Sequence, residues 1–198
     1  LIGGTGGDIY EPWPSLRHVY ATGTVTGLDY VGGLVGSLYG YASVSDTASR
    51  AAVSGHRLIG GLVGFNYDSA IDRSFGVGQV SGTGDSVGGL VGSTPYGRVS
   101  NSYWDTQTST QVTSSGGTGL TTAQMQQQAT YRNYNFFTLW QIEEGNDYPV
   151  LRDLSHYALP QPVDLADLAG TGTVDDPYLL TTPNELNVMR QDLAANYR

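Results

Sequence analysis

The sequence predicts an all-β chain: a parallel β-solenoid (β-helix) of coils about 28 residues long, with a short helical and aromatic cap and the start of a second solenoid unit. Three observations predict this. The phrase Val-Gly-Gly-Leu-Val-Gly at residues 31–36 returns, nearly unchanged, at 59–64 and at 87–92, each time 28 residues further on. A fixed period of that size marks stacked units rather than one core wrapped around a site. The flanks repeat as well, with apolar residues alternating against small polar ones around Val25, Val53 and Val80 upstream and Val44, Ile71 and Val99 downstream. Finally, three residues separate Gly27 from Val31 and Gly55 from Ile59, but four separate Gly82 from Val87. Corners absorb insertions while strand phrases hold steady, as stacked coils require.

Each unit is expected to hold about three short strands whose Val, Leu and Ile form inward ladders, with parallel backbone pairing between coils. Gly, Asn and Asp at the joints would supply positive-φ turns. The repeat-defining residues are Gly32, Gly33, Leu34 and Gly36, then Gly60, Gly61, Leu62 and Gly64, then Gly88, Gly89, Leu90 and Gly92. Their competing reading is a phosphate-cradling loop, which requires a following helix N-terminus. The residues that follow each phrase, 37–40, 65–68 and 93–96, instead read as turns, so the glycines are assigned a steric role at tight corners.

Beyond the coils (1–104) lies a closing segment (105–154). It begins with a Thr, Ser and Gln tract, 106–118, whose polarity predicts a surface excursion. Thr121 and Gln124 then form a capping box for a short helix with Leu120, Met125 and Ala129 facing inward. An apolar cluster around Trp140 and Ile142, then Gly145, Tyr148, Pro149 and Leu151, completes a cap suited to covering the unpaired edges at a solenoid end. A Pro-containing linker (155–170) follows, and then an opening strand and helix (171–198) with Thr182, Pro183 and Glu185 as the helix start.

Composition narrows the function. The net charge of −9, with nine Arg and no Lys, repels phosphates and excludes nucleic-acid binding. Absence of Cys excludes disulfides, thiolate zinc sites and cysteine nucleophiles. No apolar run reaches the length of a membrane span. His18, His56 and His156 are scattered without zinc-peptidase spacing, and no Gly-x-Ser-x-Gly elbow appears. A β-helix hydrolase would need two carboxylates on neighbouring coils. Asp46 and Asp72, with Asn101 in the next coil, are the candidates, and a ladder of turn residues is the preferred reading of all three. Calcium has weak candidates in Asp175 and Asp176 and in Glu143, Glu144 and Asp147, none of which fits a calcium-loop pattern; otherwise no cofactor is expected.

The three glycine phrases resemble the GLUG motif, a short repeat of large bacterial secreted and surface proteins that include adhesin-like exoproteins and some peptidases. The resemblance covers about residues 1–104, and the segment from Thr118 to Leu151 resembles the one that often ends such arrays. Residues 170–198 resemble the opening of many right-handed β-helix domains. The resemblance implies β-solenoid building blocks outside the cell, and no reaction. The expected role is a non-catalytic structural or adhesive stalk, cut from a longer repeat protein and contacting neighbouring repeats and glycan or protein surfaces. The alternatives are a self-assembling filament or surface-layer subunit, with identical copies as partners, and a fragment of a β-helix carbohydrate-active enzyme. Exposed aromatics in a row along one face would favour adhesion, and a groove of clustered carboxylates would favour an enzyme.

Overall fold

A computed structural model describes the backbone of Ile2–Thr5, together with residues 14–152 and Thr173. The chain divides into two compact units, Leu1–Arg152 and Asp153–Arg198. The predicted linker and second solenoid opening, with His156, Asp175 and Asp176, lie outside the described residues.

The first unit is a parallel β-solenoid of three complete coils with five strands per coil, rather than the three expected from the sequence. The first face stacks Ser15–Arg17, Ser43–Ser45, Ala70–Asp72 and Arg98–Ser100. The second stacks Tyr20–Ala21, Ala48–Ser49, Phe75–Gly76, Tyr103–Asp105 and Thr118–Leu120. Thr24–Thr26, Ala52–Gly55 and Val80–Gly82 make the third, and Asp29–Gly32, Arg57–Gly60 and Val87–Gly88 the fourth. The fifth holds Ile2–Thr5, Val35–Leu38, Val63–Asn66 and Val91–Ser93. The two extra strands arise because the glycine phrase is divided between the fourth and fifth faces and the downstream phrase between the first and second, and the residues after the glycine phrase, expected as turns, continue the fifth.

The apolar ladders are those predicted. Val35, Val63 and Val91 are in register, as are Val44, Ile71 and Val99, and Leu34, Leu62 and Leu90 join them in one buried cluster. Val31 with Ile59 and Val53 with Val80 fill the other side of the interior. The glycine phrase earns its composition sterically. A Cβ on Gly60 would strike the carbonyl oxygen of Val63, and one on Gly61 that of Gly89. Gly64 packs against the backbone of Leu58 and Tyr30, so the fourth and fifth faces fold back on each other at backbone contact.

Positive φ falls on the expected residue types at Asp46, Asp68, Asn101, Gly23 and Gly40, but also on bulkier residues. His18, Asp46, Arg73 and Asn101 occupy one left-handed corner ladder, Tyr30, Leu58 and Ser86 a second, and Tyr41, Asp68 and Tyr96 a third. None of the phrase glycines has positive φ; among the described glycines only Gly23, Gly40, Gly117 and Gly145 do. Each bulky left-handed residue costs about 1–2 kcal/mol locally, and persists because stacked strands on both sides fix the chain's direction.

The two halves of the closing segment differ from the expectation in opposite ways. The polar tract lies largely on the surface, as expected, but it is a terminal turn bound to the third coil rather than a free excursion. Ser109 O accepts from Val80 N at 3.1 Å and Thr113 O from Gly89 N at 3.0 Å, while Ser115 N donates to Val91 O at 3.0 Å. Side chains complete the pairing: Ser114 Oγ accepts from Val91 N at 2.9 Å, and Thr108 Oγ1 donates to Val77 O at 2.7 Å. The exposed end of a coil is a row of N–H and C=O groups, and hydroxyls and amides satisfy it as an apolar lid could not. Trp104, its indole N–H donating to Gln111 O, seals the apolar ladder beneath.

The aromatic half covers a flank instead of the end. Thr121 caps a single helical turn, Thr122–Met125, through the predicted capping box with Gln124. Met125 is buried, but Ala129 is exposed because a 3-10 turn at Gln128–Thr130 breaks the predicted helical stripe. Met125, Tyr131, Tyr134, Trp140 and Leu151 pack with Ala48, Phe75 and Tyr103 on the outer side of the second face. Trp140 lies 5.7 Å from Phe75 and pairs, within a small antiparallel hairpin, with Leu151. Ile142 and Tyr148 are half-buried against this cluster, Pro149 is buried, and Gly145 takes φ 78 at the exposed turn. Arg50 latches the segment, pairing with Asp147 at 2.9 Å and lying between the rings of Tyr20 and Tyr148.

Asp105 joins the two halves. It is fully buried, and its carboxylate accepts from Gln107 N and Thr108 N of the terminal turn, from Thr122 Oγ1 of the helix and from the Tyr148 hydroxyl at 2.6 Å. Burial and this bond to Asp105 push the Tyr148 phenol up to about 12. Burial likewise raises Tyr131 and Tyr134.

Candidate binding surface

The proposed carboxylate pair is displaced by one position from the ladder read in the sequence. Register places Asp72 beside Ser45 and Ser100, while the stacked corner residues are Asp46, Arg73 and Asn101. The coil containing Asp72 is one residue shorter here, which shifts the alignment. Arg73 binds both carboxylates. Its Nε and Nη2 reach the two oxygens of Asp46 at 2.8 and 2.7 Å, and Nη1 contacts Asp72. Asp72 also accepts from Ser100 Oγ and Asn101 Nδ2. The bidentate fork and these side-chain bonds tie successive coils together, with the side chains bonding one another rather than capping backbone amides.

Glu143, Glu144 and Asp147 engage separate partners: Asn146, the Gln128 amide and Arg50, respectively. Among the described residues no three His, Asp or Glu side chains converge as a metal site would require. His18 stands at a corner, and His56 sits 3.4 Å from Asp29, which Arg57 also contacts at 3.1 Å. The repeat glycines and leucines line the interior and offer no surface to a ligand.

The exposed chemistry lies on the outer side of the fifth face, where aromatic rings form a continuous ladder across three coils. Tyr30 meets Phe65 edge-on at 5.7 Å, Phe65 lies 5.6 Å from Tyr39 and 6.2 Å from Tyr67, and Tyr67 meets Tyr96 at 5.6 Å. Such spacings are within the favourable range for aromatic pairs. Phe65 has Ser37 and Ser93 in register on the coils to either side. The rings are therefore flanked by small polar side chains, and no described residue packs fully over them: Tyr30, Tyr39 and Tyr67 are each 41 % exposed, and Tyr96 is 81 % exposed. At the ladder's edge a cleft of about 320 Å³ opens between Tyr41 and Tyr96, lined by Asp68, Ser69, Ala70 and Arg98. Of this ladder only the step from Tyr39 to Tyr67 follows from the 28-residue period, since Tyr96 lies one residue out of it and Phe65 aligns with Ser37 and Ser93; reading these stretches as bare turns hid that step.

Fold and surface together define a short parallel β-solenoid with one uncovered aromatic face. No family model, no curated protein and no solved structure matches this chain.

Proposed function

We infer that the chain is a non-catalytic structural and adhesive stalk segment of a large repeat-bearing protein on the outside of a bacterial cell, and that the aromatic ladder is its contact surface. The observation that carries the reading is the row of uncovered rings from Tyr30 to Tyr96. A soluble protein rarely leaves contiguous apolar surface open without using it for contact, and aromatic residues are enriched where partners meet. Stacked coils suit a stalk because length grows by adding coils, each contacting only its neighbours. The extracellular setting rests on the likeness of the three glycine phrases to the GLUG motif. That Arg73 engages both Asp46 and Asp72 favours a structural use of those carboxylates over hydrolysis.

The reading is tested with beads carrying the chain, passed under flow over surfaces coated with polysaccharide, glycoprotein or collagen. Beads should be retained on at least one surface, and retention should fall several-fold with the triple variant Phe65→Ser, Tyr67→Ser, Tyr96→Ser. No retention anywhere, or retention indifferent to the triple variant, overturns it.

A further inference from the structure

Resting on that reading, we propose that the aromatic ladder and the adjoining cleft form a binding site for a neutral polysaccharide chain. Sugar rings present flat C–H faces that stack on aromatic rings and rims of hydroxyls that need both donors and acceptors. The surface offers this combination. The exposed Tyr67 and Tyr96, with the half-buried Phe65 beside them, supply a run of ring surface with ring separations between 5.6 and 6.2 Å, a stepwise platform for successive sugars of an extended chain. Beside it, the side chains of Asp68 and Arg98 line the cleft, an acceptor and a donor that make no side-chain hydrogen bond or ion pair to another described residue. Ligand sites are built in this way, from apolar walls with a few polar groups that fix orientation, and the cleft volume of about 320 Å³ falls within the usual range of about 300–1,000 Å³.

Charge selects among glycans. Asp68 and Arg98 leave the cleft without excess positive charge, and the chain as a whole is acidic, so nothing there would hold a uronic-acid or sulfated polymer in preference to a neutral one. Area argues against a second copy of the chain. The ladder spans three coils, about 10 Å along the stack, and these few partly exposed rings fall short of the roughly 800 Å² per partner that a stable dimer buries.

Affinity electrophoresis of the chain tests the proposal, in native gels containing mixed-linkage β-glucan, galactomannan or xylan, with alginate as the anionic comparison. At least one neutral polymer should retard the chain in proportion to its concentration, and alginate should not. Tyr96→Ala and Asp68→Ala should each weaken retardation about tenfold at a temperature where both variants remain folded, while Phe137→Ala, an exposed aromatic of the flank segment, should leave it intact. Absence of retardation by every neutral polymer, or retardation unaffected by Tyr96→Ala and Asp68→Ala, overturns the proposal. So does a concentration-dependent dimer in sedimentation that Tyr67→Ala abolishes, because the ladder would then belong to a second copy. Beads that hold only to collagen would remove the polysaccharide and leave the adhesive reading standing.

Discussion

Two faces of the same coil stack carry aromatic rings on their outer sides, and they are treated oppositely. On the second face Phe75 and Tyr103 lie beneath Tyr131, Tyr134 and Trp140, and Phe75 and Trp140 have no accessible surface. On and beside the fifth face Tyr30, Tyr39, Phe65, Tyr67 and Tyr96 make a comparable array that no segment of the described chain covers. Residues 121–152 thus shield one aromatic face, and the described chain leaves the other open. The difference teaches where stability ends and contact begins: rings that serve the fold are covered, and the uncovered ones are available to a partner.

The end of the stack adds a second lesson about covering. A flank presents side chains, so apolar residues cover it. A coil end presents peptide groups, and the chain meets it with Ser109, Thr113 and Ser114. Apolar surface and backbone polarity call for different covers, and Asp105 binds the two together.

Substitutions should separate these roles, beginning with the largest effect. Trp140→Ala empties the centre of the covered face and should cost about 4 kcal/mol in urea unfolding, with increased binding of an apolar dye as Phe75 is uncovered. Asp105→Ala should cost about 3 kcal/mol, because it strands the buried donors of Thr122 and Tyr148 and two backbone amides together; Asp105→Asn should cost less. Ser114→Ala removes one acceptor shared by Leu90 N and Val91 N and should cost about 1 kcal/mol. A covered face that tolerates Trp140→Ala would break the comparison.

Alkaline titration sharpens it. Tyr148 has its folded-state pKa raised to about 12 from the ordinary phenol value near 10. Its protonated form is the one the fold favours, so its contribution is complete below pH 10 and is lost as pH rises from 10 towards 12. Urea midpoints measured at pH 9 and pH 11 should therefore fall for the parent chain and fall less for Tyr148→Phe. The smallest effect belongs to the open face: Tyr96→Ala should change unfolding free energy by no more than about 0.5 kcal/mol.

Much of this architecture is legible in the sequence, and the failures have physical causes. The 28-residue return of the glycine phrase fixes the interior ladders, because only a repeated register could place Leu34, Leu62 and Leu90 in line. The corners were illegible since left-handed conformations at Tyr30, Leu58 and Arg73 are imposed by stacking, which local propensity does not record. Polarity marked 106–118 as surface but did not show that Ser109, Ser114 and Thr108 also pair with peptide groups of the third coil. A signal for the covered face was present: Tyr20-Ala21 and Tyr103-Trp104 are apolar at consecutive positions, the pattern of strands buried on both sides. Of the contact surface, the stacking of Tyr39 on Tyr67 could be read from the period, whereas its openness could not, because that depends on where residues 121–152 pack.

The most direct measurement compares Phe75→Ala with Phe65→Ala, one phenylalanine from each aromatic face, by urea unfolding. Phe75→Ala should cost about 3–5 kcal/mol, and Phe65→Ala should fall at least about 2 kcal/mol below it, since its ring is only partly buried. Equal costs would contradict the account, because the fifth-face ladder would then be part of the fold's own packing rather than a surface held open for a partner.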